Sequence, residues 1–270
     1  MISTWKRKSA TVLLGLCLVG STALATPAPA KQQIETLAKT GIGAGGWFVE
    51  PADDVSWEKW CYAVTDLNHD GNLEIFKAKH GWDNAPAIQC EELNEGQSSR
   101  HWGLFLAGGT DIPDILSDDE PNRPRVFHDI EENKYAYVFT EKKRHSEFDA
   151  VTRQYAISLN KDLLIEELAF RVWQLSGYDG SETNHYYQPG WLKAEAEGET
   201  PPPPPTEITE AEYQSMATNR FPTMMEETGF IKWMDAKELY HGLHTGNGYN
   251  LLKDSYNVFS MGHGFGHEHS

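Results

Sequence analysis

The sequence is poor in basic residues, in cysteines and in long apolar runs. It has 23 Lys and Arg against 40 Asp and Glu, for a formal net charge of −17. Such a negative surface repels phosphate backbones and anionic lipid headgroups, which argues against binding to nucleic acids or membrane surfaces. After residues 10–20, no segment is long and apolar enough to span a bilayer.

Sequence signatures of common enzymes are also missing. The chain has no G-x-S-x-G, no H-E-x-x-H and no Cys–His nucleophile pattern. A carboxylate pair for glycoside hydrolysis cannot be chosen among so many acids from sequence alone. No catalytic residue is therefore predicted.

The N-terminus has the three parts of a secretory signal peptide, predicted at residues 1–25. Lys6, Arg7 and Lys8 precede the apolar run, and Ala23 and Ala25 form the A-x-A pattern of a cleavage site. The alternative is an uncleaved N-terminal anchor. We expect an exported protein, periplasmic or extracellular, that is not inserted in a membrane after cleavage.

Two of the three cysteines, Cys61 and Cys90, lie outside the signal peptide. In an oxidising compartment such a pair favours one disulfide. Its loop would enclose the acidic motif described below. The alternative is two buried thiols.

Short runs rich in β-branched and aromatic residues predict a mainly β (α+β) fold with an antiparallel sheet over residues 47–192. The predicted strands are "WFVE", "CYAVT", "LEIFKA", "WGLFLA", "YAYVFT" and "YAISL". Residues 163–175 fit either a strand or a helix, and the preceding Asn160–Asp162 cluster favours a hairpin. A short helix followed by a Gly-rich stretch is predicted for residues 26–46.

Consecutive prolines predict a polyproline spacer over residues 193–206. After it, Thr209 and Glu212 fit a capping box that opens a helical appendage over residues 207–260. Residues 261–270, rich in Gly and His, predict a disordered tail.

The stretch "DLNHDGNLE", residues 66–74, concentrates oxygen ligands in one turn between two predicted strands. Calcium takes six to eight oxygens, and side chains at alternate positions of such a loop can converge on one centre. An EF-hand needs a glutamate at the twelfth position, where this chain has Lys77, and its flanks are helices. The alternative is an ordinary Asp-Gly hairpin turn with solvated acids.

This stretch resembles the calcium hairpins of the FG-GAP and VCBS families, with the pattern D-x-[DN]-x-D-G-x-[LI]-[DE]. The resemblance implies two antiparallel strands and the ligands Asp66, Asn68, Asp70, Asn72 and Glu74. Those families build propellers from many copies, and a single copy does not support a propeller. More loosely, the chain resembles exported bacterial proteins in the order of three segments: this hairpin, "YAISLNKDLLIEELAF" and "ITEAEY". No activity can be inferred from this resemblance.

The predicted function is a non-enzymatic binding or interaction module with one structural Ca²⁺ site, binding at about 10⁻⁴–10⁻³ M. Its partner would be a protein or a glycan. Two alternatives stay open: a hydrolase acting on glycans, and a carbohydrate-binding module that uses Trp57, Trp60, Trp82 and Trp102. Two weaker cation sites have a solvated tail or loop as their alternative. Their residues are His263, His267 and His269, with His241 and His244, and the acidic loop with Asp111, Asp114, Asp118, Asp119 and Glu120.

Overall fold

A computed structural model describes residues 28–43, 46–48, 50, 60–79, 88–94, 97–101, 104–107, 115–116, 123–160, 162–189 and 206–262. The described chain is mainly β, with helices near both ends, which confirms the predicted fold class. The helices are α1 (Ala30–Thr40), α2 (Glu210–Arg220), α3 (Ala236–Thr245) and α4 (Gly248–Gly262). The strands are β1 (Trp60–Thr65), β2 (Glu74–Lys79), β3 (Ile88–Asn94), β4 (Gln97–His101), β5 (Leu104–Ala107), β6 (Arg125–Asp129), β7 (Lys134–Arg144), β8 (Asp149–Leu159), β9 (Leu163–Leu175), β10 (Glu182–Tyr187), β11 (Glu207–Ile208), β12 (Met225–Thr228) and β13 (Met234–Asp235).

The strands form two sheets. The first has the order β13-β1-β2-β3-β4 and is antiparallel throughout. The second has the order β11-β10-β9-β8-β7-β6-β12 and is also antiparallel, while β5 pairs in parallel with the first half of β9. Residues 163–175 are thus a strand, and the hairpin interpretation of that segment is confirmed.

The two sheets pack against each other through one apolar core. Because side chains alternate along a strand, one face of each sheet points into this core. Ala63, Phe76 and Ala78 come from the first sheet, and Tyr137 and Ile157 come from the second. The β1–β2 hairpin therefore shares one core with β7 and β8.

Helices cover the outer faces. On the first sheet, the alternate residues Tyr62, Val64 and Ile75 pack against α1, α3 and α4, with Ile34 and Leu37 buried on α1. On the second sheet, α2 buries Ala217 against a patch that the other strand faces form. That patch comprises Phe127, Ala136, Val138, Ala156 and Leu168.

The segment after the prolines contains the predicted helices, and it also completes both sheets. β11 pairs with β10, β12 with β6, and β13 with β1. The predicted capping box is confirmed, because Thr209 Oγ1 accepts a bond from the Glu212 amide at 3.2 Å. The predicted appendage is therefore built into the same packing as the β domain.

Two segments differ from their predictions. Trp47 and Phe48, predicted to lie in a strand, instead bind the end of α1: Trp47 Nε1 donates to the Leu37 carbonyl, and the Phe48 amide donates to the Gly41 carbonyl, both at 2.9 Å. The Gly46 amide donates to the Gly43 carbonyl at 3.0 Å, and Trp47 and Phe48 are buried in the outer core of the first sheet. At the other end, α4 continues to Gly262, two residues into the predicted tail.

Candidate metal centre

The acidic motif forms the turn between β1 and β2. Thr65 and Glu74 are the last paired residues, and Asp66–Leu73 connect them. Gly71 has φ 86°, which glycine adopts at little cost, and His69 has φ 53°. The chain therefore reverses where the Asp-Gly pair predicted a turn, and the two flanking segments are antiparallel strands.

Three carboxylates converge inside this turn. One oxygen each from Asp66, Asp70 and Glu74 lie within 4.8 Å of one another. Glu74 is fully buried (0% exposed), Asp66 is half-buried and Asp70 is exposed. Three carboxylates so close repel one another unless a cation or protons lie between them. This cluster could hold a metal ion.

Residues of the hairpin itself hold one carboxylate oxygen of Glu74. Its Oε2 accepts bonds from the Leu67 amide at 2.9 Å and from Thr65 Oγ1 at 3.3 Å. Its Oε1 is buried and has no hydrogen-bond partner among the described residues. A buried oxygen without a donor is costly, and a bound cation would satisfy it.

Asp66 is arranged in the same way. Its Oδ2 accepts a bond from the Gly71 amide at 3.2 Å, while no described residue donates to its buried Oδ1. Both Asp66 and Glu74 therefore keep one oxygen fixed by the backbone and leave the other for a ligand.

The electrostatics of the cluster disfavour two charged carboxylates in the absence of a cation. Burial, and then the charge of Asp70, raise the pKa of Asp66 to about 7, although backbone amides oppose the shift. Burial and the charge of Asp66 raise the pKa of Glu74 well above its ordinary value. At neutral pH the site therefore attracts either protons or a cation.

The remaining predicted ligands lie in the same turn. Asn68 Oδ1 accepts from the Asp70 amide at 3.2 Å, and Asn68 Nδ2 donates to Asp70 Oδ2 at 3.1 Å. The Asn72 amide donates to Asp70 Oδ1 at 2.8 Å. These bonds orient Asp70 toward the cluster. Coordination by Asn68 and Asn72 stays a prediction.

A residue of α1 that sequence reasoning missed holds the turn from outside. Gln33 Oε1 accepts from the Leu73 amide at 2.8 Å, and Gln33 Nε2 donates to the Gly71 carbonyl at 2.8 Å. Gln33 lies about forty positions before the turn, so no local pattern could have indicated this contact.

His69 fastens the turn to the second sheet. Its ring stacks on Tyr135 at 3.7 Å between centroids, and its Nε2 lies 3.1 Å from the Tyr137 hydroxyl. That hydroxyl also donates to the Leu67 carbonyl at 3.3 Å. The turn is thus linked to a neighbouring helix on one side and to β7 on the other.

Comparison with protein families, with curated proteins and with solved structures finds no match. The resemblance to FG-GAP and VCBS hairpins therefore stays a prediction from the residues of the turn. Within the described ranges, the structure has no helix that is both long and apolar enough to cross a membrane.

The predicted disulfide is absent from the structure, where Cys61 and Cys90 are both thiols. The strand β2 lies between them, because Cys61 pairs with Ala78 on one edge of β2 and Cys90 with Phe76 on the other. Two strand spacings alone put the cysteines at least about 9–10 Å apart, and the two-residue offset along β2 adds to this, so their separation exceeds the ~7 Å between Cα atoms that a disulfide spans. The even cysteine count suggested a bridge, but the sheet order prevents it.

Most of the weaker candidate sites lie outside the described residues. These are Trp57, Trp82 and Trp102, His263, His267 and His269, and the acidic residues Asp111, Asp114, Asp118, Asp119 and Glu120. Trp60 is described, and it is half-buried against the outer core of the first sheet. His244 belongs to α3, where its Nδ1 lies 3.0 Å from the Tyr240 carbonyl.

Proposed function

We propose that this protein is an exported, non-enzymatic binding or interaction module whose β1–β2 turn binds one structural Ca²⁺ ion. The observation that carries the metal assignment is the pair of buried oxygens, Glu74 Oε1 and Asp66 Oδ1, that no described residue satisfies. They belong to the same group of three carboxylates. A divalent cation would satisfy both atoms and remove the repulsion.

The chemistry of the donors favours calcium. The predicted ligands offer only carboxylate, amide and carbonyl oxygens, which hard cations prefer, whereas zinc prefers sulfur and nitrogen. Magnesium demands near-ideal octahedral geometry and keeps several waters, whereas calcium tolerates irregular shells of side-chain and backbone oxygens. A turn in which Asp66, Asp70 and Glu74 have such different burial suits the more permissive ion.

A structural role follows from where the ligands lie. All of them lie in one hairpin turn or, for Glu74, at the first residue of the strand after it, and that turn is already bound to α1 by Gln33 and to β7 by His69. An ion there would fix the position of a loop that joins two layers of the fold. Weak affinities of about 10⁻⁴–10⁻³ M are typical of calcium sites in extracellular modules.

Export is supported by the signal-peptide pattern of residues 1–25, which lie outside the described residues. A site with weak affinity would be filled where calcium is plentiful. The excess of acidic residues is compatible with a protein partner or a glycan and unfavourable for nucleic acid.

A cation panel tests the metal assignment. The protein is stripped with chelator and melted in about 10 mM calcium, magnesium or zinc. We expect calcium to raise the melting temperature most, and D66N to lose the response. D129N is the matched control, because Asp129 also accepts two backbone amides in a β-turn, at 3.0 and 3.1 Å, outside the cluster. Equal responses of wild type and D66N would overturn the assignment.

Export and partner class need separate measurements. Cell fractionation with mass determination of the N-terminus should find a chain shortened near residue 25 outside the cytoplasm. A full-length chain in the cytoplasm would contradict export. Binding of the calcium-loaded protein to a glycan array, with turnover of any bound glycan, would favour the carbohydrate-directed alternatives over a protein-binding module.

A further inference from the structure

We propose that Gln33 is a positioning residue for the metal-binding turn, so that calcium affinity and the docking of α1 are energetically coupled. This inference rests on the proposed calcium site. Gln33 lies outside the turn, on the first helix of the described chain, and it would control how strongly the site binds calcium.

The geometry is specific. Gln33 binds the Gly71 carbonyl and the Leu73 amide, each at 2.8 Å, and these two residues flank Asn72. Asn72 is the seventh residue counted from Asp66, and in the twelve-residue EF-hand loop the seventh residue binds calcium through its backbone carbonyl. Fixing both neighbours restricts the direction in which the Asn72 carbonyl points. The same Nε2 donates to the Ala28 carbonyl at 2.6 Å, which holds the side chain in place.

Other contacts hold the turn without Gln33. Asp70 Oδ1 accepts a bond from the Asn72 amide at 2.8 Å, and the His69 ring stacks on Tyr135 of β7. With Gln33 removed, the turn would therefore stay attached to the second sheet but lose its restraint on the side of α1. The expected consequence is weaker calcium binding within a folded protein.

The helix also has contacts that do not involve the turn. Ile34 and Leu37 are buried in the outer core of the first sheet, and the Leu37 carbonyl accepts a bond from Trp47. Helix α1 should therefore remain folded and close to its site without calcium. Loss of calcium would weaken only the attachment of the first turns of α1 to the metal-binding turn.

Coupling between two sites is reciprocal. If Gln33 raises calcium affinity by a given factor, calcium must strengthen the docking of α1 through Gln33 by the same factor. Loss of two hydrogen bonds that orient a ligand corresponds to about a tenfold change. A purely structural role of Gln33 would lower stability without linking these two quantities.

The test uses the purified protein with four sequences: wild type, Q33A, Q33M and Q32A. Methionine keeps the length of the Gln33 side chain without its hydrogen bonds, and Gln32 is the matched control because it is an exposed glutamine next in the same helix. Calcium binding is followed by the NMR shift of the Gly71 amide. We expect about tenfold weaker binding in Q33A and Q33M and unchanged binding in Q32A.

Hydrogen exchange of the α1 amides supplies the second readout. In wild type and Q32A, calcium should slow exchange in α1 by up to about tenfold, and in Q33A it should have no effect. Wild-type affinity in both Gln33 variants, or exchange in wild-type α1 that ignores calcium, would overturn the coupling while leaving the calcium site intact. Failure of the wild type to bind calcium would overturn both.

Discussion

Replacing Glu74 by glutamine should have opposite effects with and without calcium. Glutamine can keep the two bonds that Glu74 Oε2 accepts from Leu67 and Thr65. Its amide group would then face Asp66, where it could donate to the carboxylate. The variant therefore removes a buried charge from a repulsive cluster and at the same time removes a ligand for the ion.

The magnitudes follow from the geometry. Two unit charges that lie within 4.8 Å of each other repel by at least about 3.5 kcal/mol at an effective dielectric constant of 20. Proton uptake and the exposure of Asp70 relieve part of this, so we expect E74Q to stabilise the calcium-free protein by about 1–3 kcal/mol. With about 10 mM calcium and a Kd of about 10⁻⁴–10⁻³ M, binding stabilises the wild type by about 1.4–2.7 kcal/mol.

Thermal unfolding followed by circular dichroism measures both effects. At pH 7.5, calcium should raise the wild-type melting temperature by about 3–10 °C, and it should leave that of E74Q unchanged. Without calcium, E74Q should melt above the wild type. E132Q is the control, because Glu132 is an exposed acid in another β-turn, and it should keep the full calcium response.

Either of two melting results would exclude this role of Glu74. If E74Q melted well below the wild type in chelator, the buried carboxylate would be stabilising the fold without any cation, and repulsion among the carboxylates would not be destabilising the calcium-free protein. If E74Q kept the wild-type response to calcium, Glu74 would not be a ligand.

Three further predictions concern pH, the thiols and the C-terminal segment. Because the folded state raises the pKa of Asp66 from 3.8 to about 7, it holds that proton more tightly than the unfolded chain does. The contribution of Asp66 to the stability of the calcium-free protein should therefore be fully present below pH 4 and fall as the pH rises toward 7. Chemical unfolding of wild type and D66N between pH 5 and 8 should show a smaller fall in the free energy of unfolding for D66N. Thiol titration of the unfolded, unreduced protein should find both Cys61 and Cys90 reactive, and protection of the pair until a reductant is added would show a disulfide. T209A should lower the free energy of unfolding by about 1 kcal/mol, because it removes the cap that Thr209 Oγ1 provides to Glu212; an unchanged unfolding midpoint in denaturant would contradict a role for this cap.

Local patterns predicted the parts of the fold that depend on neighbours in sequence. The Asp-Gly turn, the strands on either side of it and the capping box at Thr209 all follow from side chains a few positions apart. The convergence of Asp66, Asp70 and Glu74 was also predictable, because alternate positions of a tight turn approach one centre.

Long-range contacts decided what the sequence did not reveal. Strand β3 carries Glu91 and Glu92, residues unfavourable in a buried strand, and Glu91 is accommodated by Lys77 on β2 at 2.7 Å. Gln33 reaches the turn only because α1 packs on the first sheet. The cysteine pair was predicted wrongly for the same reason, since the intervening strand cannot be deduced from a count.

An anomalous difference map from crystals grown with calcium would locate the ion itself. We expect one peak in the β1–β2 turn, about 2.3–2.6 Å from oxygens of Asp66, Asp70 and Glu74. A well-ordered turn whose carboxylates are bridged by protons or water, with no peak among them, would contradict the calcium assignment.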